Sequence, residues 1–300
     1  MAKMGMSYKD ILATDNNGFV SRVGGYKHLT TKRKEDNFMA VTLEDREMMV
    51  KEAERKEAER TEIAIQTGFI KMGDSRLLIK NLPDKSIDLI LTDPPYNLSG
   101  YSTGNMELSW RKTINNDLAE WDMNSFDPKE WLSEFKRVLK PTGNIFAFTS
   151  YNLLGKWHEV FDPEFTTFQY MVWHKTNPVP KIRRAGFLNS CELIICVWDK
   201  GHTWNFTKQN DMHNFIQTPI CMGNERLKNP GHPTQKPVKI LEHIIRIASN
   251  EGDIVLDPFM GVGSTGVAAA NLKRKFIGFE LEKEYFELAE KRLNTQSKLI

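Results

Sequence analysis

Cysteine is scarce in this sequence, and long hydrophobic runs are missing. The 3 cysteines in 300 residues, Cys191, Cys196 and Cys221, are odd in number and lack CxxC spacing. That excludes a disulfide framework and points to buried thiols in a reducing cytoplasm. A zinc site drawn from Cys196, His202, His213 and Cys221 fits no standard ligand spacing, so no metal is expected. No apolar run approaches the roughly 20 residues of a membrane span, and the first ten residues lack the pattern of a signal peptide. A charge excess is missing too. The 41 Lys and Arg against 39 Asp and Glu leave a formal +2, too little to argue for nucleic acid, so any basic surface must come from local clustering. What remains is an ordinary globular composition, 40% hydrophobic and 27% charged. The length suits one large domain with an appendage, or two domains.

Residues 1–42 are polar, and Asp15-Asn16-Asn17-Gly18 is a turn signal. Residues 43–62 are almost wholly helix-forming, with Thr42 as N-cap and the pairs Glu47/Lys51 and Glu52/Lys56 at helical spacing. This segment reads as a solvated charged helix leading into a core, or as an oligomerisation or DNA-clamping arm. From Ile63 strands and helices alternate. Phe69–Met72 is a strand ending at Gly73-Asp74, Ser75 caps a helix through Leu82, and Ile87–Thr92 is a buried strand. Residues 97–125 lack a period and read as a mobile loop. A helix Pro128–Leu139 and strands at Ile145–Phe148, Phe168–Trp173 and Leu193–Trp198 follow. Periodicity fades over 200–231. A helix Pro237–Ala248, a strand Ile254–Leu256, a glycine loop, a helix Thr265–Asn271, a strand Phe276–Phe279 and a last helix complete the chain. The alternation predicts a doubly wound α/β domain over 63–300 with a mostly parallel sheet, preceded by an extension 1–62.

The most informative stretch is Asp93-Pro94-Pro95-Tyr96, directly after the strand Ile87–Thr92. A carboxylate at the C-terminal end of such a strand lies where an open α/β sheet keeps its chemistry. The prolines remove two N–H groups, so the backbone there offers acceptors and few donors. Acceptors beside an aromatic ring suit a planar ligand carrying an amino group, such as a nucleobase.

A second motif joins a strand to a helix: Asp257-Pro258-Phe259-Met260-Gly261-Val262-Gly263-Ser264-Thr265-Gly266. Its glycines satisfy G-x-G-x-x-G and permit a tight turn with close ligand approach. Glu280, 19 residues after Gly261, ends the next strand, where an acid can accept from ribose hydroxyls. Two ligands compete for such a loop. A dinucleotide would set pyrophosphate on the helix N-terminus, where Asp257 would repel it. S-adenosylmethionine is a cation without phosphate, and Asp257 suits it.

With both motifs in view the sequence resembles the amino-methyltransferases of DNA, specifically the permuted beta group, in which the D-P-P-Y tetrad precedes the F-x-G-x-G loop. The resemblance runs from about Phe69 to Leu293 and leaves residues 1–62 uncovered. It implies a methyltransferase sheet in circularly permuted motif order, S-adenosylmethionine as cofactor and double-stranded DNA as partner. Asp93, Pro94, Pro95 and Tyr96 then form the catalytic tetrad. The implied cofactor residues are Asp74, Asp93, Asp257, Phe259, Gly261, Gly263, Ser264, Thr265 and Glu280. The stretch His232-Pro233-Thr234-Gln235-Lys236-Pro237 joins them, its His232, Thr234, Gln235 and Lys236 holding the methionine carboxylate. Glu192 and Trp173–Pro178 flank the base pocket by the same resemblance. Asp at the first tetrad position favours adenine-N6 over cytosine-N4 as the methylated amine, with an RNA base as a further alternative. The absence of a Pro-Cys pair argues against cytosine-C5 chemistry.

DNA contact is expected from the middle of the chain. Lys175, Lys181, Arg183, Arg184, Lys200, Lys208, Arg226 and Lys228 there outnumber Glu192, Asp199, Asp211 and Glu225, and such a cluster supplies phosphate contacts. Residues 200–231 stand as the target-recognition segment. A homodimer and a cognate restriction endonuclease are compatible with the resemblance. An NAD-dependent oxidoreductase using the glycine loop, and a catalytically silent DNA-binding relative, are the readings from other classes.

Overall fold

The computed structural model describes residues 47–52, 55, 67–97, 106–108, 111–114, 126–180, 186–227 and 234–296. The chain divides into two units, Met1–Val50 and Lys51–Ile300. Residues 47–50 of the first are helical, as are 51, 52 and 55 of the second; the rest of the expected charged helix lies outside the described residues.

In the second unit the elements run β1 (Phe69–Met72), α1 (Ser75–Leu78), β2 (Ile87–Thr92), β3 (Met106–Leu108), β4 (Arg111–Ile114), α2 (Lys129–Val138), β5 (Leu139–Thr149), α3 (Leu154–Phe161), β6 (Thr167–Lys175), β7 (Cys191–Trp198), β8 (Phe215–Thr218), α4 (Val238–Ala248), β9 (Ile254–Asp257), α5 (Ser264–Asn271), β10 (Lys275–Glu280) and α6 (Lys283–Gln296). Eight strands make one sheet in the order β1-β10-β9-β2-β5-β7-β6-β8, and β3 with β4 forms a separate pair. The neighbours from β1 to β5 are parallel, as is β8 on β6. Only β7 runs against its partners in this sheet. The expected doubly wound, mostly parallel sheet in permuted order is the observed fold.

Alternation along the central strands explains the layers. In β2, Ile87 and Ile90 face one core, with Trp131, Phe135, Trp157 and Phe161 of α2 and α3. Leu89 and Leu91 face the other, with Ile240, Leu241, Ile244 and Ile245 of α4 and Ala268 and Ala269 of α5. Ile145 and Ala147 of β5 go to the first core and Phe146 and Phe148 to the second. A strand buried on both faces is apolar at nearly every position, so these runs carry no polar period; the exceptions are bonded, as Asp88 is to Lys140, Thr92 to Asp257 and Asn144 to the Thr203 and Ala248 carbonyls.

Several boundaries differ from the sequence expectation. Asp74, not Ser75, caps α1, its side chain accepting from the Arg76 N–H. The helix holds only four residues before a 3-10 turn, Ile79–Asn81. β5 starts at Leu139 rather than Ile145, because its register against β2 shifts between Ile87 and Leu89 and absorbs the turn at Pro141 to Gly143. Residues 97–125 contain the β3–β4 pair, where no strand was expected. β8, inside the segment 200–231, completes the sheet edge beside β6.

Candidate active site

Four parallel strands end side by side. β1 leads into Asp74, β10 ends at Glu280, β9 ends at Asp257 and β2 leads into Asp93. Crossing helices place loops at these C-terminal ends, so the topology alone gathers four acids that lie far apart in sequence. Bonds lock the gathering. The Gly73 N–H donates to the Glu280 carbonyl at 2.8 Å, and the buried Ser75 hydroxyl donates to the Pro258 carbonyl.

The glycine loop turns as its sequence requires. Gly261 and Gly263 both have positive φ, +51° and +76°, and Gly263 is the left-handed N-cap of α5. Arg292 on α6 donates to the Val262 carbonyl at 2.5 Å and to the Ser264 hydroxyl at 3.3 Å, which fixes the loop from behind. Phe259 packs on Trp131 with ring centroids 4.8 Å apart and on Phe126 at 5.8 Å. Glu280 accepts from the Glu282 N–H at 2.8 Å. Burial pushes its carboxyl upward against the backbone N–H groups of Glu282, Gly261 and Leu281. The Arg76 guanidinium, hydrogen-bonded to Asp74, holds that carboxyl below the usual range.

Asp257 does not face outward as the sequence argument supposed. It is 2% exposed and its oxygens are taken internally. Thr92 donates to Oδ1 at 2.8 Å, the Phe259 N–H to Oδ1 at 3.1 Å, and Thr265 to Oδ2 at 2.6 Å. Burial pushes its carboxyl to about 7 against these three donors and with the added repulsion of Asp93. Asp257 therefore ties the residue before the tetrad to the glycine loop. Sequence reading missed Thr92, although a hydroxyl ending an otherwise apolar strand was a visible signal.

The tetrad lies over a charge cluster whose buried member is Lys236 and whose other members, Asp93, Glu192 and Lys175, are half-buried. The Tyr96 hydroxyl lies 2.8 Å from Asp93 Oδ1 and 3.1 Å from Glu192 Oε2. The Lys236 ammonium pairs with Asp93 Oδ2 and lies 3.3 Å from Glu192 Oε2, over the rings of Tyr96 and Phe148 at 5.2 and 5.0 Å. Lys175 pairs with Glu192 Oε1 at 2.7 Å. Burial and Glu192 push the Asp93 carboxyl up, and Lys236 opposes them. Burial also acts on Glu192, but Lys236 and Lys175 outweigh it and hold that carboxyl down. Ser150 and Asn152 donate to the Tyr96 carbonyl at 3.2 and 3.4 Å. Just beyond, Asn97 at φ 55° clasps Phe126, donating to its carbonyl and accepting from its N–H, both at 2.8 Å.

The structure sorts the remaining expected residues. Lys236 sits against the tetrad, where the resemblance implied the cofactor's carboxylate. Gln235 is 5% exposed and its amide is spent on the Leu227 N–H and the Glu225 carbonyl. Thr234 is exposed. Lys175 was expected on DNA, yet it is turned into the pocket with a side chain only 15% exposed. Lys208 and Lys200 are exposed, and Arg226 half-buried. Lys181, Arg183, Arg184, Lys228 and His232 lie outside the described residues. Among the described residues no group of three or more His, Cys, Asp or Glu could hold a metal, and no helix is long and apolar enough to cross a membrane.

The donor set fits S-adenosylmethionine. Carboxylates at Asp74, Glu280 and Asp93 surround a glycine loop with an apolar Phe259, which suits amine, hydroxyl and cationic groups. Among the described residues the cations around this face are already engaged, Lys236 by Asp93 and Glu192, Arg76 by Asp74 and Arg292 by the back of the loop, an arrangement that does not favour a pyrophosphate.

Comparison with known proteins agrees. A family model described as "DNA methylase", N6_N4_Mtase, matches residues 87–291. The type II methyltransferase M2.LlaDCHI of Lactococcus lactis subsp. cremoris is 36% identical over 247 residues, covering 76% of this chain and 90% of that protein. The type II methyltransferase M.HinfI of Haemophilus influenzae is 35% identical over 247 residues, covering 75% of this chain and 67% of its own. A crystal structure of the M1.HpyAVI-SAM complex superposes with TM-score 0.56 at 33% identity, covering 75% of this chain and 98% of that one. The PvuII DNA methyltransferase, cytosine-N4-specific, matches with TM-score 0.58, 78% of this chain and 91% of that chain at 20% identity, a likeness of fold alone. The tetrad before the glycine loop, the sheet order and these matches agree: the chain belongs to the permuted N6/N4 family of S-adenosylmethionine-dependent DNA methyltransferases.

Proposed function

We propose that the protein methylates the exocyclic N6 amine of adenine in double-stranded DNA, acting on a base flipped out of the duplex. The observation that carries this reading is Asp93. It is a carboxylate acceptor beside the Tyr96 ring, placed at the end of β2 next to the glycine loop.

An exocyclic amine is a poor nucleophile, because its lone pair is conjugated into the ring. Asp93 and the Pro94 carbonyl each accept one N–H of the amine. That turns the lone pair out of conjugation and aims it, a matter of orientation and fixed electrostatics rather than strong base catalysis. S-adenosylmethionine supplies an electrophilic methyl carried on a sulfonium. Once methylated the amine is acidic, and Asp93, whose carboxyl burial pushes up, is placed to take its proton. Tyr96 stacks on the extruded base and offsets part of the few kcal/mol of unstacking. Asp74 and Glu280 serve the adenosine hydroxyls and amine, and Gly261 and Gly263 allow close approach of the loop.

DNA contact falls to the connections beyond the pocket. The β6–β7 connection leaves the strand ends that carry Lys175 and Glu192, and it exposes Val179 at 75% and Phe187 at 96%. Lys181, Arg183 and Arg184 lie in the same connection, with Lys200, Lys208, Arg226 and Lys228 in the target-recognition segment. These bases provide salt-dependent phosphate contacts. A type II modification role beside a restriction endonuclease, and a homodimer, follow the same reading.

Nucleoside mass analysis of DNA from cells expressing the protein tests the target. N6-methyladenine is expected; N4-methylcytosine without N6-methyladenine overturns the choice of base.

A further inference from the structure

Lys236 lies where a neutral base must bind. Its ammonium is 6% exposed at the side chain, paired with Asp93, and it lies over two aromatic rings. That is the arrangement expected of the target amine itself: an N–H donor on Asp93, flanked by the Tyr96 face. A second carboxylate, Glu192, stands 3.3 Å from the same nitrogen and is fixed from its other side by Lys175 at 2.7 Å. The charges close to zero, with Asp93 and Glu192 against Lys236 and Lys175.

We propose that Lys236 is a movable counter-ion of the tetrad, held by Asp93 in the free protein and passed to Glu192 when the target amine takes its place. The inference rests on the methyl-transfer reading above. A buried ammonium cannot simply leave Asp93, because a buried charge left unpaired is far more costly than a paired one. Glu192 gives it a landing site already within ion-pair reach, 3.3 Å from the nitrogen, and the Tyr96 and Phe148 rings stabilise the cation along the way. Lys175 matters because it keeps Glu192 ionised and fixed, so that the landing site is present before the base arrives. Lys236 and Glu192 are thus positioning residues, which set the charge and the free acceptor of Asp93 without touching the reacting atoms. The groups that face this nitrogen or its partners are Asp93 and Tyr96 beyond β2, Lys175 from β6, Glu192 from β7 and Asp257 from β9.

The test uses the full chain, unmethylated genomic DNA and radiolabelled S-adenosylmethionine in single turnovers across pH. Cofactor affinity and melting temperature are measured on each variant. With Glu192→Gln the ammonium stays on Asp93, so the transfer rate falls tenfold or more and KM for DNA rises. Cofactor affinity stays within twofold. With Lys236→Met the Asp93 carboxyl loses its counter-ion, and the midpoint of the pH–rate profile moves up by a unit or more. Lys236→Arg restores the midpoint. The inference is overturned if Lys236→Met weakens cofactor binding tenfold while the midpoint stays put, which would assign Lys236 to the cofactor's carboxylate. Glu192→Gln at wild-type rate and KM overturns it as well. A wild-type protein that transfers no methyl to DNA would instead overturn the reading beneath it.

Discussion

Asp257 is a carboxylate that the fold makes costly to ionise, and its removal gives a measurable signature. Its carboxyl stands at about 7 in the folded protein against an ordinary 3.8. At roughly 1.36 kcal/mol per pH unit, ionising it in the fold costs about 4 kcal/mol more than in the unfolded chain. The sign follows from proton counting. Below pH 3.8 both states are protonated and the fold has its full stability. Between 3.8 and about 7 the unfolded chain releases its proton first, so stability falls as pH rises, and the loss is complete above about 7. From pH 5 to pH 8 this one group removes about 3 kcal/mol. Asp257→Asn removes the titration and keeps the shape. The amide oxygen still accepts from Thr92 and the Phe259 N–H, and the Thr265 hydroxyl can turn to accept from the new NH2. Urea denaturation at pH 5, 6.5 and 8 is the assay. Other buried carboxyls titrate in both proteins, so the difference carries the test: from pH 5 to pH 8 the stability of wild type should fall by about 3 kcal/mol relative to that of Asp257→Asn. Parallel pH dependence in the two proteins would refute a buried, titrating Asp257.

Asp93→Ala should abolish methyl transfer while leaving S-adenosylmethionine binding weakened but measurable by calorimetric titration, since Asp93 is one cofactor residue among several and the other strand ends and the glycine loop keep theirs. Gly263→Ala forces a side chain onto φ +76°, with its Cβ 3.1 Å from the Ala289 Cβ. It should cost about 1–2 kcal/mol in the left-handed region, read as a lower melting temperature and weaker cofactor binding. Asn97→Gly keeps the φ of 55° available but deletes both bonds to Phe126. A loss of about 1–3 kcal/mol is expected in urea denaturation, and faster proteolysis at the base of 98–125 should accompany it.

The sheet and its chemistry were legible because their signals are local. Leu89–Leu91 and Ile254–Leu256 are apolar runs with a carboxylate close behind, Asp93 and Asp257, and the glycine loop follows the second. β8 was not legible. Phe215 is half exposed at 49%, the edge strand is four residues long, and only Ile216 and Thr218 face inward. What seats it is distant: the Trp173 indole donates to the Thr218 hydroxyl at 2.7 Å, and Val172 donates to the Asn214 carbonyl at 2.9 Å. The pairing of Lys236 was hidden for the same reason. Its partners are Asp93, just past β2, and Glu192 on β7, and nothing in its own neighbourhood distinguishes a lysine aimed at a cofactor from one aimed at the tetrad. Asp257 ends β9 beside the glycine loop, but its direction depends on Thr92, a residue 165 positions away.

That last bond also explains why the order of the two motifs in the chain is free to vary. Thr92 and Asp257 meet because β2 and β9 are sheet neighbours, with Leu89 opposite Val255 and Ile90 opposite Leu256. The coupling between tetrad and glycine loop runs sideways across the sheet, and no covalent connection between them carries it. The cofactor half is assembled from both ends of the domain: β1 lies on β10 with Met72 opposite Glu280, and Asp74 follows at once. Joining the chain differently would alter which loop must close and how slowly it does so. It would leave the strand neighbours that place Asp74, Asp93, Asp257 and Glu280 unchanged. What the site requires is therefore the lateral order β1-β10-β9-β2, and a sequence meets that requirement with either motif first.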